Sequence, residues 1–290
     1  MSVAAHDGGG LRSLLHDLLL FARIEAQCCV FAVAIFGGLA LSKLLALPIP
    51  RYDFLLIWCL CVQALMLLTR IETADEALVI CLFHVFGLAL ELFKTHHGSW
   101  AYPEFAYTKF WGVPLYSGFM YAAVASYLVQ AFRRLDLHFS EYPSDVANLF
   151  AILLYVNFFT NAWMPDQRWG LATALVALMW KTRVDFRLGD RRYSMPLVVS
   201  FALIGFFIWL AENIATFFGA WRYPNQRDVW HSVHYAKISS WALLVILSFV
   251  LIARLKGLKA SLGVPDGGSY LLSRLHLPKP DASRSEPPST

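Results

Sequence analysis

Charged side chains are scarce in this sequence. Asp, Glu, Lys and Arg make up 15% of its 290 residues, whereas an ordinary soluble domain carries about 25%. The hydrophobic fraction is 58% and the mean hydropathy is +0.53, so polar residues are too few to cover a soluble domain of this size. The net charge of +4 comes from basic residues gathered in a few short segments. We therefore expect no nucleic-acid partner and predict a membrane protein.

The motifs of several common enzyme classes are also missing. The sequence has no glycine-rich phosphate loop, no G-x-S-x-G turn and no H-E-x-x-H motif, which argues against the familiar nucleotide-binding, serine-hydrolase and zinc-protease chemistries. The cysteines form no C-x-x-C pair and lie in apolar runs, so we predict buried, inert thiols. They are Cys28, Cys29, Cys59, Cys61 and Cys81. No cofactor is predicted.

Long apolar runs dominate what is present. Each approaches the length of about 20 residues that an α-helix needs to cross a bilayer. Together they predict an all-α, polytopic membrane helix bundle of about eight transmembrane helices, with membrane lipids as its surroundings. The runs cover residues 26–46, 52–71, 75–95, 110–133, 147–165, 169–183, 195–217 and 237–255.

The two ends of the chain differ from this membrane domain, which we place at residues 26–256. Within residues 1–25, leucines recur on one helical face after three glycines, which predicts an amphipathic helix lying at the membrane surface. Residues 257–290 are rich in Pro, Ser and Gly and are predicted to be a disordered cytoplasmic tail.

The pattern E-x3-T-x2-G-x-W-x-Y-P occurs twice, each time across the end of an apolar run and the loop after it. Each residue of the first copy lies 121 positions before its counterpart in the second. This constant offset indicates a duplication, with repeat one at about 26–133 and repeat two at about 147–255. Four spans per repeat make the repeats parallel, related by an axis along the membrane normal. The copies are Glu91, Thr95, Gly98, Trp100, Tyr102, Pro103 and Glu212, Thr216, Gly219, Trp221, Tyr223, Pro224.

The distribution of Lys and Arg predicts the orientation of the bundle. If the N-terminus is inside, sixteen of the 24 basic residues fall in the inner loops and termini, and eight fall on the outer side. Cytoplasmic segments of membrane proteins carry an excess of basic residues. We therefore predict that both termini are cytoplasmic and that both motif loops face outward.

The two motif acids are the candidate catalytic residues. Glu91 and Glu212 lie at equivalent positions within membrane helices, where an acidic side chain is a functional-site hypothesis by default. The apolar residues before Glu212 favour its neutral form, which can donate a proton. Two other interpretations stay open. Each acid could hydrogen-bond a neighbouring helix, and Lys94, three residues after Glu91, could form an ion pair with it.

Aromatic and amide side chains near these acids are the candidate substrate-binding residues. The glycine and proline of each motif predict a defined loop, whose Trp and Tyr point the same way and form a wall over a central cavity. The alternatives are an interfacial aromatic belt and simple hydrogen bonds between helices. The candidates are Trp100, Tyr102, Trp221 and Tyr223 in the loops, Asn157 and Asn161 on one face of the fifth span, and Asn213 beside Glu212.

Histidines on the outer side were considered as metal ligands. His96 and His97 follow the first acid, and His231 and His234 follow the second motif. Their spacing matches no established ligand pattern, and the two repeats do not match at these positions. We therefore predict no metal site.

Several segments resemble a known family. The segments E-L-F-K-T-x2-G-S-W-x-Y-P-E (91–104), G-V-P-L-Y-S-G-F-M-Y (112–121), Y-V-N-F-F-T-N (155–161) and W-L-A-E-N-I-A-T (209–216) are similar to the YoaT-like bacterial integral membrane proteins, a family of unknown function. The resemblance implies a multi-pass protein of the bacterial inner membrane. A fainter similarity, through G-V-P at 112–114, is to membrane carotenoid hydratases and cyclases. The paired acids of those cyclases are replaced here by Leu115 and Tyr116.

Three functions are compatible with these features. The first is an intramembrane enzyme that protonates or hydrates an apolar lipid or isoprenoid, with Glu212 or Glu91 as the acid. The second is a small-solute transporter with its site between the repeats. The third is a non-catalytic membrane scaffold in which the motifs only pack helices. An apolar cavity that opens toward lipid favours the enzyme. The sequence predicts no oligomeric state.

Overall fold

The computed structural model describes residues 10–160, 163–226 and 228–261. Most of these residues are helical, as the composition predicts. Short 3₁₀ helices follow the two motif loops at Leu115–Ser117 and Pro224–Gln226. The α-helices of the described ranges are α1 Leu11–Cys28, α2 Val30–Leu44, α3 Arg51–Leu68, α4 Ala74–His96, α5 Gly118–Arg134, α6 Ser144–Thr160, α7 Arg168–Leu178, α8 Leu197–Phe217 and α9 Lys237–Ser261.

The helices long and apolar enough to cross a membrane are fewer than expected. Within the described ranges four qualify: α3, α4, α8 and the Lys237–Arg254 part of α9. A fifth span would combine α1 with α2, which are bent by 61° where they meet. Helices α6 and α7 are apolar but shorter. The described chain therefore has four to five candidate spans, not the eight that the apolar runs predict.

Two expected spans are shortened because the chain leaves the helical conformation inside them. The run at 110–133 becomes helical only at Gly118, since Trp111 and Gly112 have φ angles of 46° and 83°. Such left-handed residues interrupt a right-handed helix. The run at 169–183 ends its helix at Leu178 because the chain then enters a strand.

Short strands correct the prediction of an all-helical fold. In the three-stranded sheet, β4 lies between β3 and β5, and both pairings are antiparallel. Val184, Phe186 and Leu188 are buried on one face of β4, while charged residues alternate with them, as a half-buried strand requires. The strands are β1 Lys109–Phe110, β2 Val113–Pro114, β3 His138–Ser140, β4 Arg183–Leu188 and β5 Arg191–Pro196.

Close packing of neighbouring helices builds the core. Helix α4 packs along α5, α8 along α9, and α2 along α3. Gly87 lets α5 approach, since a Cβ at this position would lie 2.4 Å from the ring of Tyr121. The free cysteines are only partly as predicted. Cys28 and Cys59 are buried, but Cys61 and Cys81 are exposed on the outside of the helices, because hydropathy alone does not tell a lipid-facing position from a core position.

Helix α1 is attached to the β4–β5 hairpin. Its Asp17 is buried and accepts hydrogen bonds from Arg191 (2.7 Å) and Tyr193 (2.5 Å). Its leucine-rich face is exposed, with Leu18 and Leu19 at 57% and 70%. The hairpin thus holds the polar side of α1 and leaves the apolar side uncovered. Residues 1–9 and 262–290, which include most of the predicted tail, lie outside the described residues.

Candidate functional site

The two motif loops begin with the same backbone geometry. Gly98 and Gly219 both have a φ angle of 69°, a left-handed conformation that favours glycine and ends a helix. The next amide in each copy bonds back five residues, from Ser99 to the carbonyl of Lys94 and from Ala220 to that of Ala215, both at 3.0 Å. The duplicated glycine therefore performs the same structural role at the ends of α4 and α8.

The motif loops also bond to each other. Ala101 and Arg222 form an isolated antiparallel bridge, with reciprocal N–H to carbonyl bonds of 2.9 and 3.0 Å. These two residues are themselves 121 positions apart. Equivalent residues of the two motif copies are thus paired directly with one another.

Glu91 is enclosed by three hydrogen-bond donors. One carboxylate oxygen accepts from Trp100 Nε1 at 2.6 Å and from the Tyr102 hydroxyl at 2.7 Å, both in its own motif. The other oxygen accepts from the hydroxyl of Tyr121 on α5 at 2.9 Å. Glu91 is 6% exposed. Lys94 does not pair with it, because the Lys94 ammonium lies 4.1 Å from the centre of the Phe158 ring.

Glu212 is enclosed in a similar way. One oxygen accepts a short bond from the Tyr223 hydroxyl of its own motif, and the other accepts from Trp241 Nε1 on α9 at 2.7 Å. Glu212 is 2% exposed. Burial, and next the neighbouring Glu212, raise the pKa of Tyr223 well above its ordinary value. The phenol therefore remains a proton-bearing donor across the physiological pH range.

Tyr121 and Trp241 are site residues that sequence reasoning missed. Each lies on the helix that packs against its acid and donates to that acid. The two are 120 positions apart, within one residue of the motif offset. The sequence did contain a signal for them, because an aromatic residue that can donate a hydrogen bond follows each motif at nearly the same spacing.

The two acid clusters meet through their aromatic rings. Trp100 and Tyr223 contact edge to face, with ring centres 6.0 Å apart. The ammonium of Lys237, at the start of α9, lies 4.8 Å from the centre of the Tyr223 ring and 5.5 Å from that of Trp100. Such distances allow a cation–π attraction to both rings. Lys237 therefore joins the two motifs.

A cavity of about 290 Å³, the outer chamber, lies beside this junction at the motif end of α4, α6 and α9. Four of the five donors to the two acids form part of its wall, Tyr102 being the exception, and the carboxyl groups themselves lie behind those donors. Asn157 and Arg168 also line it. The other lining residues used below are Lys94, Trp100, Tyr121, Tyr223, Lys237 and Trp241.

A second cavity of about 490 Å³, the inner chamber, continues from the outer chamber toward the middle of the helices. The two share Leu90, Tyr121, Tyr155, Leu244 and Leu247 as walls. The inner chamber is almost entirely apolar, with Asn148 and Arg254 toward the opposite end. Its remaining lining includes Phe83, Phe86, Ala151, Ile152, Val250 and Leu251.

The inner chamber opens sideways between α4 and α6. Phe86 on α4 and Ile152 on α6 line it and are also 46% and 61% exposed, so its wall reaches the outer surface. The two helices approach each other through rings, including Phe86 with Tyr155 at 6.2 Å. An opening of this kind faces the lipid in a membrane.

Of the other predicted substrate-binding residues that the structure describes, Asn157 lines the outer chamber and the rest line neither chamber. Tyr102 and Trp221 are buried and do not form the wall of either chamber. Asn157 donates to Asp166 at 3.0 Å and accepts from the backbone N–H of Gln167 at 2.8 Å. Asn213 accepts from the backbone N–H of Val233 at 2.9 Å and so anchors the loop before α9. Asn161 lies outside the described residues.

Arg51 is a third residue that sequence reasoning missed. Its buried guanidinium donates to Glu104 at 2.8 Å and to the carbonyls of Phe218 and Gly219 at 2.5 and 3.0 Å. It therefore binds the two carbonyls just after the end of α8, where a cation is favourable. This contact fixes the second motif loop against the first half of the chain.

Metal ligands do not cluster in the part of the chain that the structure describes, where no group of three or more His, Cys, Asp or Glu side chains could hold an ion. His97 instead packs edge-on against Phe93, with ring centres 4.4 Å apart. His231 and His234 lie on the surface.

Comparison with known proteins agrees with the resemblance noted in the sequence. A family model described as "Protein of unknown function (DUF817)" matches residues 17–249. The chain is also 53% identical to the "Uncharacterized protein YoaT" of Bacillus subtilis (strain 168) over 247 residues, which are 84% of this chain and 94% of that protein. No solved structure matches the chain.

Proposed function

The chain belongs to the DUF817 family, and we propose that it is an integral membrane protein that takes an apolar lipid or isoprenoid chain into the inner chamber and acts on it by acid chemistry. The single observation that carries this proposal is the apolar inner chamber, which opens between α4 and α6 and meets the Glu91 cluster at Tyr121. An apolar cavity with a few polar groups at one end is the usual form of a small-molecule site.

The acids would act through the phenols that cover them. Tyr223 stands between Glu212 and the outer chamber, and Tyr121 stands between Glu91 and both chambers. In this relay, Glu212 is neutral and donates the hydrogen bond that it shares with Tyr223, while the Tyr223 hydroxyl gives its proton to a carbon of a double bond held in the outer chamber. Tyr223 takes the proton of Glu212 in the same step. The phenol is unchanged at the end, Glu212 becomes a carboxylate, and the substrate becomes a carbocation. Positioned proton transfer of this kind contributes typically 10²–10⁴-fold to a rate.

The proposal includes the parallel duplication and its orientation. The direct pairing of Ala101 with Arg222, the matched geometry of Gly98 and Gly219, and the matched aromatic donors all support an approximate twofold relation between the halves. On this basis we place the protein in the bacterial inner membrane, with both termini cytoplasmic and both motif loops outside. In that orientation the outer chamber lies near the outer membrane surface.

Lipid analysis of defined strains tests the proposed function. Membrane lipids of a deletion strain would be compared with those of strains that express the parent protein, Glu212→Gln or Ile152→Trp. The larger Trp side chain narrows the inner chamber. We expect both variants to reproduce the lipid profile of the deletion strain. Leu149→Trp is the matched control, because Leu149 is an exposed residue of α6 that lines neither chamber, and it should restore the parent profile.

The same experiment separates the alternatives. If the double variant Glu91→Gln with Glu212→Gln restores the parent profile while Ile152→Trp does not, the acid chemistry is wrong and the protein only binds lipid. If Ile152→Trp also restores it, the lipid assignment is wrong. A carrier with its site between the repeats is the second candidate, favoured by the contact of Trp100 with Tyr223 across the two motifs. Loss of such a carrier would change where a compound accumulates, but the compound itself would be unmodified.

A further inference from the structure

Three basic side chains converge on the outer chamber from three different helices. Lys94 comes from the end of α4, Arg168 from the start of α7, and Lys237 from the start of α9. From this convergence we propose that the outer chamber binds the phosphate group of an anionic lipid whose chains occupy the inner chamber. The inference rests on the proposed function for the lipid chain and adds the chemistry of the headgroup.

The two lysines lack a carboxylate partner among the described residues. Lys94 lies over the rings of Phe158 and Phe93 at 4.1 and 5.6 Å from their centres, and Lys237 lies over those of Tyr223 and Trp100. A charge held at membrane depth is costly unless it faces protein, water or a counter-ion. An anion within the chamber would supply that counter-ion to both lysines.

The positive charge of Arg168 is already partly balanced by a neighbouring carboxylate. It forms an ion pair with Asp166 at 2.9 Å and lies 3.4 Å from the Ser240 hydroxyl. Burial alone would raise the pKa of Asp166, but hydrogen bonds from Asn157 and Arg168 outweigh it and lower that pKa, so the carboxylate is present at neutral pH. The chamber wall therefore carries three cations, and only Arg168 among them is paired with a carboxylate, that of Asp166 outside the wall.

The other acids facing this region are already engaged. Glu91 is covered by Trp100, Tyr102 and Tyr121, and Glu212 is covered by Tyr223 and Trp241. Their oxygens accept bonds from these donors instead of from the lysines. An entering anion thus meets the ammonium groups and the aromatic donors before it meets either carboxyl group.

A phosphate fits this arrangement better than a carboxylate. Its several oxygens point in different directions, so cations that approach from separate helices each find an acceptor, whereas one arginine fork already serves both oxygens of a carboxylate. The shared walls at Leu90, Tyr121 and Leu247 then connect the headgroup to an apolar chain. The opposite end of the inner chamber presents a single cation, Arg254, and so makes a weaker site.

Binding of matched lipids by the purified full-length protein in detergent tests the inference. The probes are dioleoylphosphatidic acid, dioleoylglycerol with the same chains and no phosphate, and inorganic phosphate. Quenching of tryptophan fluorescence reports binding, because Trp100 and Trp241 line the outer chamber. We expect phosphatidic acid to bind most tightly. Replacing Lys94 and Lys237 together by Met should lower its affinity by about a hundredfold, roughly tenfold for each lost charged contact.

The controls separate a headgroup effect from a folding effect. Lys237→Arg should keep most of the affinity, and Lys181→Met, at an exposed lysine, should keep all of it. Dioleoylglycerol binding should be unchanged in the double Met variant and lost in Ile152→Trp. Equal affinity for the two lipids, or an unchanged affinity in the double Met variant, would overturn the headgroup site while leaving the proposed function intact. Inorganic phosphate binding as tight as phosphatidic acid would overturn the lipid source of the phosphate.

Discussion

Removal of the Glu91 carboxylate should destabilise the protein in proportion to the donors that it leaves unpaired. In Glu91→Leu, the indole N–H of Trp100 and the hydroxyls of Tyr102 and Tyr121 lose their acceptor in a buried place. An unsatisfied buried donor costs about 1–3 kcal/mol. Three of them give about 3–9 kcal/mol, and partial rearrangement moves the expected loss toward the lower end. A loss of this size approaches the whole stability of many proteins.

Glu91→Gln should cost much less because one oxygen remains. The indole N–H of Trp100 can only donate, so the amide oxygen must face Trp100 and Tyr102. The amide NH₂ then faces Tyr121, whose hydroxyl rotates to accept a hydrogen bond. One of the three hydrogen bonds reverses its direction, and the expected loss is about 1–2 kcal/mol.

The assay is reversible unfolding of the purified protein in mixed micelles, followed by tryptophan fluorescence. Glu212→Leu is the graded comparison, since it leaves two donors unpaired instead of three and should lose about two-thirds as much. In a double-mutant cycle, Tyr121→Phe should cost less in the Glu91→Leu background than in the parent, because its hydroxyl is already unpaired there. Equal stability of Glu91→Leu and Glu91→Gln would refute this reasoning.

Three other predictions follow from the packing and the electrostatics. Gly87→Ala should push the Tyr121 ring away from α4, since the new Cβ would lie 2.4 Å from that ring. A clash of this kind costs about 1–3 kcal/mol, measurable in the same unfolding assay, and a thermal midpoint equal to that of the parent would contradict it. Burial raises the pKa of Glu72, which lies between α3 and α4. A raised folded-state pKa gives stability below the unfolded pKa that is lost as pH rises, so Glu72→Gln should gain stability relative to the parent as the pH rises above the ordinary Glu pKa of 4.5. A difference in the free energy of unfolding between the two proteins that does not change with pH would contradict this assignment. Reporter fusions at Thr290 and within the 97–109 loop should give cytoplasmic and outer activity, respectively, and an outer C-terminal reporter would reverse the topology.

The positions of the basic residues refine the charge argument for that topology. Several of the eight basic residues assigned to the outer side have partners or aromatic contacts within the structure. Arg51 bonds Glu104 and the end of α8, and Lys109 donates to the carbonyls of Tyr102 and Glu104 at 2.6 and 2.8 Å. Arginines assigned to the inner side are engaged as well, since Arg133 pairs with Glu76 and Arg191 with Asp17, so such contacts do not distinguish the two sides.

Local properties of the sequence determined the class of the protein and the place of its acids. Hydropathy is a sum over neighbouring residues, so the apolar runs could be read directly, and the family resemblance agrees with the match over residues 17–249. The duplicated motif fixed Gly98 and Gly219 as helix ends and placed Glu91 and Glu212 at equivalent positions. The bonds from Tyr102 and Tyr223 to these acids also lie within single motif copies, and that spacing was visible in the sequence.

Only the tertiary structure decided what surrounds the acids. Tyr121 and Trp241 reach them from separate helices, and Lys94, Arg168 and Lys237 share a chamber although they are far apart in the chain. Contacts of this kind depend on how helices pack, which a one-dimensional hydropathy pattern does not encode. The same limit explains the shortened spans, since an apolar run has no helical period of its own. The missed strand β4 did have a signal in the sequence, because Val184, Phe186 and Leu188 alternate with charged residues. The motif that occurs twice in the sequence placed the carboxyl groups at equivalent helix positions, and helix packing placed aromatic donors between them and the chambers.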